Sequence, residues 1–209
     1  MAIDLYTWKT PNGYKVSIML EELGLDYEVH PINITQDDQF DPEFLKISPN
    51  NKIPAIVDPD GPDGEPIALF ESGAIMIYLA EKHGRFFPSD PRERHVTTQW
   101  LMWQMGNFGP MLGQAHHFRR FAKENLPYAI DRYTNESKRL YGVLDKRLGE
   151  AKYMGGDDYT IADMATFPWA ARHEWQGIDL GDFANVKRWY DELAARPAVE
   201  KGRRVPDPS

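Results

Sequence analysis

The chain has 209 residues, enough for one large domain or two small ones, and its 42% hydrophobic and 27% charged residues are typical of a folded globular protein. The formal net charge of −8 argues against a nucleic-acid partner, because binding to a phosphate backbone requires a cationic surface. The N-terminus has no basic segment followed by an apolar one, and no apolar run approaches the length of a membrane span. We therefore expect a cytoplasmic protein that acts on neither membranes nor nucleic acids.

Cysteine is absent from the sequence. The chain can therefore form no disulfide, offer no thiolate to a metal and use no cysteine nucleophile of its own. His116 and His117 are adjacent and would point in different directions on a helix, so we expect no metal there or elsewhere. Any thiol chemistry must use the sulfur of a bound ligand.

The first 83 residues predict alternating strands and helices. Alternating or continuous apolar residues predict strands over 3–7, 27–34, 53–57 and 67–70, and helical spacing predicts helices that end at Gly24 and that span 43–47 and 72–82. The turn-rich segment 58–66 predicts a hairpin between the last two strands. The order β-α-β-α-β-β-α is that of the thioredoxin-like fold.

The remainder of the chain predicts only helices. Residues 84–91 hold two prolines and a glycine and predict a linker. Helical spacing of apolar residues then predicts helices over 92–105, 128–148, 161–176 and 183–196, with a capping box from Thr160 to Asp163. The predicted fold class is α+β/α: a thioredoxin-like domain over 1–83, a linker over 84–91, an all-helical domain over 92–200 and a loose tail over 201–209.

Residues 10–13, Thr-Pro-Asn-Gly, form the turn between the first strand and the first helix. The amides at a helix N-terminus favour an anion, and the Thr10 hydroxyl and the Asn12 amide could donate hydrogen bonds to a ligand thiolate, lowering the pKa of the thiol. The same residues also suit an ordinary turn and helix cap, so the spacing leaves both interpretations open.

Two further positions could bind a peptide-like ligand. Ser72 is the expected N-cap of the third helix, where it could instead bind a carboxylate, while Glu71 could pair with an ammonium group; capping alone is the alternative. Pro54 interrupts an apolar strand, which implies an edge position or a cis bond with backbone groups left open.

Several of these segments, in order and spacing, resemble the cytosolic glutathione transferases. The resemblance rests on residues 10–16, 48–57 and 70–75, on the capping box, and on 109–114 and 127–133, which are similar to the bacterial nu class of glutathione-dependent disulfide-bond oxidoreductases. It covers nearly the whole chain and implies a thioredoxin-like domain followed by a helical one. It also implies glutathione as cofactor, as one oxidised molecule or two reduced ones, and a homodimer.

The resemblance assigns roles to nine residues. It implies that Thr10 and Asn12 face the glutathione sulfur. It also implies that Lys52, Ile53 and cis-Pro54 hold the tripeptide backbone and that Glu71 and Ser72 hold the γ-glutamyl end. Gln39 and Arg132 would add polar contacts, Arg132 from the helical domain. Tyr6 differs from the tyrosine of other transferases, because strand alternation places it on the opposite face from Thr7. Thr10 replaces the serine or cysteine of other classes.

The leading hypothesis is an enzyme that reduces small or mixed disulfides with glutathione, with weak transferase or peroxidase activity. A protein without thiols requires one glutathione to attack the disulfide and a second to resolve the mixed disulfide. One alternative is a transferase that conjugates glutathione to electrophiles or reduces hydroperoxides. Another is a non-catalytic binding or regulatory module that depends on glutathione.

Overall fold

The computed structural model describes residues 2–207. It divides into two units: the chain up to Arg85 together with the chain from Ala195 onward, and the intervening chain from Phe86 to Ala194. The first contains a four-stranded mixed sheet with helices, and the second is helical, so the predicted fold class is confirmed. Among the described residues, no helix has both the length and the apolar character required to cross a membrane.

The first unit follows the predicted order of elements. Its strands and helices are β1 (Ile3–Thr7), α1 (Pro11–Leu23), β2 (Tyr27–Pro31), α2 (Pro42–Ile47), β3 (Ala55–Asp58), β4 (Ile67–Phe70) and α3 (Ser72–His83). β2 is shorter than predicted. The Ile32 amide still bonds to the carbonyl of Thr7 in β1, at 2.9 Å, whereas the Asn33 amide bonds to the Asp38 carboxylate, at 2.9 Å, in place of a strand partner.

The sheet has the strand order β2-β1-β3-β4. β1 pairs parallel to β2, with Thr7 opposite Pro31. On its other side β1 pairs antiparallel to β3, with Tyr6 opposite Ala55. β3 in turn pairs antiparallel to β4, with Ala55 opposite Phe70. The ends of β1, β2 and β4 and the start of β3 therefore lie along one edge. The four chain segments that leave or enter the sheet there are consequently close together.

Burial alternates along β1, as the sequence pattern predicts. Ile3, Leu5 and Thr7 are buried, whereas Asp4 and Tyr6 on the other face are partly exposed. The interior continues into fully buried apolar side chains of β3, α1 and α3, among them Ile56, Val16, Leu20, Ile75 and Leu79. Each side chain of this size stabilises the fold by about 1.5–3 kcal/mol through removal from water.

The end of the chain returns to the first unit as helix α9 (Pro197–Gly202), which packs on α1. The Ser17 hydroxyl donates to the carbonyl of Gly202 at 2.7 Å, and the Arg196 guanidinium binds the Glu22 carboxylate through two bonds of 2.6 and 2.8 Å. These contacts differ from the predicted division, which placed 195–200 in the helical domain and 201–209 in a loose tail. Residues 208 and 209 of that tail, and Met1, lie outside the described residues.

The second unit consists of the helices α4 (Pro91–Trp103), α5 (Gly109–His116), α6 (Pro127–Glu150), α7 (Ile161–Ala170) and α8 (Ala184–Ala194). The sequence did not predict α5, because Pro110 and the glycines near it suggest a helix end. A π-helical turn, Gln104–Phe108, instead joins α4 to α5, and Pro110 lies just after that turn. The predicted helix 161–176 ends at Ala170 and is followed by a 3₁₀ turn, His173–Gln176.

Asp163 joins three segments of the second unit. The predicted capping box is confirmed: the Asp163 carboxylate accepts from the amide and hydroxyl of Thr160 at 3.1 and 3.0 Å. It also accepts from the amide of Met154 and the indole of Trp189, both at 2.9 Å. Burial raises the pKa of Asp163, and these hydrogen bonds, led by that from Met154, oppose the rise.

We predict that Asp163→Ala lowers the free energy of unfolding by about 3 kcal/mol or more, because several buried donors lose their acceptor. Thr166→Val is the matched control: Thr166 is buried on the same helix but donates only to the carbonyl of Ala162, so its loss should cost about 1 kcal/mol. Urea denaturation of both variants measures the difference. Equal losses in the two variants would contradict the role assigned to Asp163.

Candidate active site

The turn between β1 and α1 carries the predicted helix cap. Thr10 has an extended backbone, its hydroxyl oxygen accepts from the amide of Gly13 at 3.1 Å, and its carbonyl accepts from the amide of Tyr14 at 3.0 Å. Pro11 occupies the first helical turn. The Thr10 hydroxyl oxygen accepts the cap bond, so the hydroxyl hydrogen can donate to a ligand at the same time. Helix capping and contact with a ligand thiolate are therefore compatible at this turn.

The N-terminus of α1 suits an anion. The helix is 13 residues long and has no acidic residue in its first turn, so that turn itself supplies no carboxylate to compensate the positive end of the helix dipole. Asn12, partly exposed, lies in that first turn. Gly13 permits the turn to approach the sheet closely, since a Cβ there would lie 2.3 Å from the carbonyl oxygen of Trp8 and 2.5 Å from the hydroxyl of Thr7.

The segment before β3 lies along the same edge of the sheet. The Ile53–Pro54 bond is cis, and β3 is an inner strand of the sheet, so the cis alternative holds and the edge alternative is wrong. Ser48 is buried and its hydroxyl donates to the carbonyl of Lys52 at 2.7 Å, which fixes the approach to Ile53. The Lys52 side chain is exposed.

The turn between β4 and α3 places Glu71 and Ser72 at that edge. Glu71, not Ser72 as predicted, is the N-cap residue, because the helix begins at Ser72 and the Ile75 amide bonds to the Glu71 carbonyl at 3.0 Å. Glu71 is exposed and has a left-handed backbone (φ 68°), a conformation that costs a side-chain-bearing residue about 1 kcal/mol or more. Ser72 is buried in the first helical turn.

Lys15 is a further charged residue of this region that the sequence pattern did not single out. It is fully buried in α1, and burial lowers its pKa to about 7, while the negative charge of Glu71 acts in the opposite direction. Lysine is almost never fully buried in globular proteins. The only signal in the sequence is its position beside the apolar face of a helix, which does not distinguish a buried lysine from an exposed one.

Gln39 and Arg132 lie further along the chain. Gln39 belongs to the 3₁₀ turn Asp38–Phe40 that follows β2, and its buried Oε1 atom has no hydrogen-bond partner among the described residues. Arg132 belongs to α6 in the second unit, where it lines a cavity of about 720 Å³ together with Glu136 and Arg139. The strand register thus brings the segments that carry seven of the nine predicted residues to one edge of the first unit, whereas Gln39 lies in the turn after β2 and Arg132 lies in the second unit.

Tyr6 lies on the opposite face of β1 from Thr7, as predicted. Its ring stacks on that of His30, with centroids 4.7 Å apart. Burial raises the pKa of Tyr6, and the charges of Asp4 and Glu28 raise it further. Its place on the opposite face argues against Tyr6 as the group that activates a thiol at the α1 turn, and the raised pKa disfavours its phenolate form.

Comparison with known proteins agrees with this geometry. The profile of the glutathione S-transferase N-terminal domain matches residues 11–82, and that of the C-terminal domain matches 110–197. Disulfide-bond oxidoreductase YfcG of Escherichia coli is 53% identical over 198 residues, covering 94% of this chain and 92% of the relative. The chain therefore belongs to the glutathione S-transferase family.

Two solved structures have the same fold at high sequence identity. A glutathione transferase from Pseudomonas putida, with one glutathione disulfide bound per subunit, is 48% identical with a TM-score of 0.94, covering 98% of this chain and 92% of that one. A glutathione transferase from Burkholderia graminis, with two glutathione molecules bound per subunit, is 49% identical with a TM-score of 0.94, covering 100% of this chain and 90% of that one.

We predict that Thr10→Val lowers the free energy of unfolding by about 1 kcal/mol, because valine cannot accept the cap bond from Gly13. Thr10→Ser keeps the hydroxyl and should retain most of the stability. Thermal or urea unfolding without ligand measures both. A Thr10→Val variant as stable as Thr10→Ser would show that the cap contributes nothing.

Proposed function

We propose that the chain is a glutathione-dependent disulfide-bond reductase acting on small or mixed disulfides. The observation that carries the proposal is a capped helix N-terminus without acidic residues, at the edge of a thioredoxin-like sheet, in a chain with no cysteine. The fold offers a place for a thiolate, and the sequence supplies none. Bound glutathione supplies the sulfur.

In this proposal the α1 turn lowers the pKa of the glutathione thiol. The Thr10 hydroxyl and the Asn12 side-chain amide donate to the sulfur, and the positive end of α1 favours its charged form. Each of these effects stabilises the thiolate relative to the thiol. A larger thiolate fraction at neutral pH raises the rate of attack on a disulfide.

The other residues of the edge bind the tripeptide. Backbone groups around Ile53 and cis-Pro54 hold the peptide, with Lys52 beside them. Glu71 pairs with the γ-glutamyl ammonium group, and Ser72 binds the γ-glutamyl carboxylate at the N-terminus of α3. The exposed Glu71 carboxylate and its left-handed backbone support this assignment, because strained residues of this kind concentrate at functional sites.

Gln39 and Arg132 complete the proposed set as polar contacts. The buried Oε1 atom of Gln39 has no partner among residues 2–207 and can accept a hydrogen bond from the ligand. Arg132 offers a guanidinium suited to a carboxylate.

The reaction needs two molecules of glutathione. The first thiolate attacks one sulfur of the disulfide, forms a mixed disulfide and releases the other sulfur as a thiolate, which takes up the proton lost by the glutathione thiol. The second glutathione, also as thiolate, attacks the glutathione sulfur of the mixed disulfide, forms glutathione disulfide and releases the second product thiol. The relatives with one glutathione disulfide or two glutathiones bound per subunit support this sequence.

We place the activity in the cytoplasm, where the glutathione pool is kept reduced, and in a homodimer. The exposed apolar side chains of the second unit support self-association, among them Met102, Phe121, Leu126 and Tyr128. The substrates are small or mixed disulfides, and electrophiles are the substrates of the transferase alternative.

The test is reduction of 2-hydroxyethyl disulfide by the purified protein with glutathione, coupled to glutathione reductase and NADPH. We expect turnover above the uncatalysed rate, with kcat/KM lowered about tenfold or more in Thr10→Val and in Asn12→Ala, since each loses a hydrogen bond to a charged sulfur. Thr10→Ser should retain most of the activity. Thr35→Val, at an exposed threonine to which no contact with glutathione is assigned, is the control and should match the wild type.

Three outcomes distinguish the hypotheses. Absence of turnover in folded protein refutes the reductase. Faster formation of an adduct with 1-chloro-2,4-dinitrobenzene than of reduced disulfide identifies a transferase. Binding of glutathione disulfide with neither reaction identifies a binding module.

A further inference from the structure

A second cluster of chemically capable side chains lies on the outer face of the sheet. Asp4 of β1 and Glu28 and His30 of β2 project from this face, and one potential ligand atom from each lies within 4.8 Å of the other two. The imidazole Nε2 of His30 is 2.8 Å from Oδ1 of Asp4. None of the three belongs to the edge residues assigned to glutathione.

The donor atoms suit a divalent transition cation. One imidazole nitrogen and two carboxylate oxygens are ligands that Zn²⁺ accepts, and three protein ligands leave a position for water. Tetrahedral bonds of about 2.1 Å place neighbouring ligand atoms about 3.4 Å apart. The distance of 2.8 Å between His30 Nε2 and Asp4 Oδ1 is shorter than that value and the three ligand atoms lie within 4.8 Å of one another, so shifts of the side chains alone bring them to it.

The charges of the cluster also favour a bound cation. Asp4 and Glu28 are directly opposite each other on adjacent strands, an arrangement in which like charges destabilise a sheet. Within residues 2–207, neither carboxylate forms an ion pair with a lysine or arginine, and Glu28 has no hydrogen-bonded partner through its side chain. A bound divalent cation would balance both charges.

The histidine is held in place from outside the cluster. The ring of His30 stacks on Tyr6 with an angle of 18° between the planes, and Tyr6 in turn contacts Phe44 of α2. This stack restricts the ring while Nε2 faces Asp4. The side chains of His30 and Asp4 are 35% and 36% exposed, so a hydrated ion can reach them.

We propose that Asp4, Glu28 and His30 form a binding site for a divalent cation of the Zn²⁺ class. The cation joins the edge strand β2 to β1 and stabilises the first unit. The site is independent of the proposed disulfide chemistry. The sequence analysis expected no metal. Asp4 and Glu28 are 24 positions apart, and only the register of the two strands brings them together.

The test uses the full chain without an affinity tag and stripped of metal. Co²⁺ is titrated with detection of its visible absorption, and Zn²⁺ is titrated by calorimetry. We expect saturable binding of one ion per chain. The metal affinity should be at least about tenfold weaker in Glu28→Gln and in His30→Gln, because loss of even a residue that only hydrogen-bonds a metal ligand lowers metal affinity about 10–100-fold. Glu65→Gln and His95→Gln, exposed residues outside the cluster, are the matched controls and should bind as the wild type does.

A second readout separates binding from damage to the fold. At the same concentration, Zn²⁺ should raise the Tm of the wild type and of both controls, and raise that of Glu28→Gln by less. Without metal, Glu28→Gln should be at least as stable as the wild type, because it removes one of two like charges. Absence of saturable binding, or equal affinity in Glu28→Gln, His30→Gln and the wild type, overturns the proposal.

Discussion

The pairing of β1 with its two neighbours determines where the chemistry of this protein can occur. β1 ends at the same edge at which β4 ends and β3 begins, so the turn into α1, the segment around cis-Pro54 and the start of α3 lie together. A slip of one residue in either register would reverse the faces of the strands and separate these segments. The buried side chains of β1 oppose such a slip, because it would move Leu5, which is fully removed from water, to the other face.

The electrostatics of this edge follow from the two helices that start there. α1 and α3 both begin at this edge, so the positive ends of their helix dipoles favour the anionic groups of a peptide ligand there. Glu71 is the exposed acid at the edge, and its charge acts on buried Lys15 inside α1. The edge therefore combines sites for a thiolate and a carboxylate with one acid for an ammonium group, which is the charge pattern of the sulfur and γ-glutamyl portions of glutathione.

Local signals predicted much of this arrangement. The cap at Thr10, the capping box at Thr160 and the order of elements in the first unit all depend on contacts between residues close in sequence. Features that depend on distant contacts were not predictable in the same way. The bond from Ser17 to Gly202 joins residues 185 positions apart, and nothing near position 202 indicates that the chain returns to α1.

The same distinction applies to the buried polar groups. The sequence marked Asp163 as a capping residue but could not show that Met154 and Trp189 also donate to it. Nor could it show that Lys15 is buried or that Asp4 meets His30, since each depends on how separate elements pack. Sequence patterns selected the segments of the proposed site, and tertiary structure supplied the charges that surround them.

The most direct test of the account is the pKa of the glutathione thiol when glutathione is bound to the protein. It is measured by titrating the ultraviolet absorbance of the thiolate, with free glutathione as the reference. The account predicts a pKa clearly below that of free glutathione, because the α1 turn favours the charged sulfur. A bound thiol with the pKa of free glutathione would contradict the claim that this turn activates the sulfur.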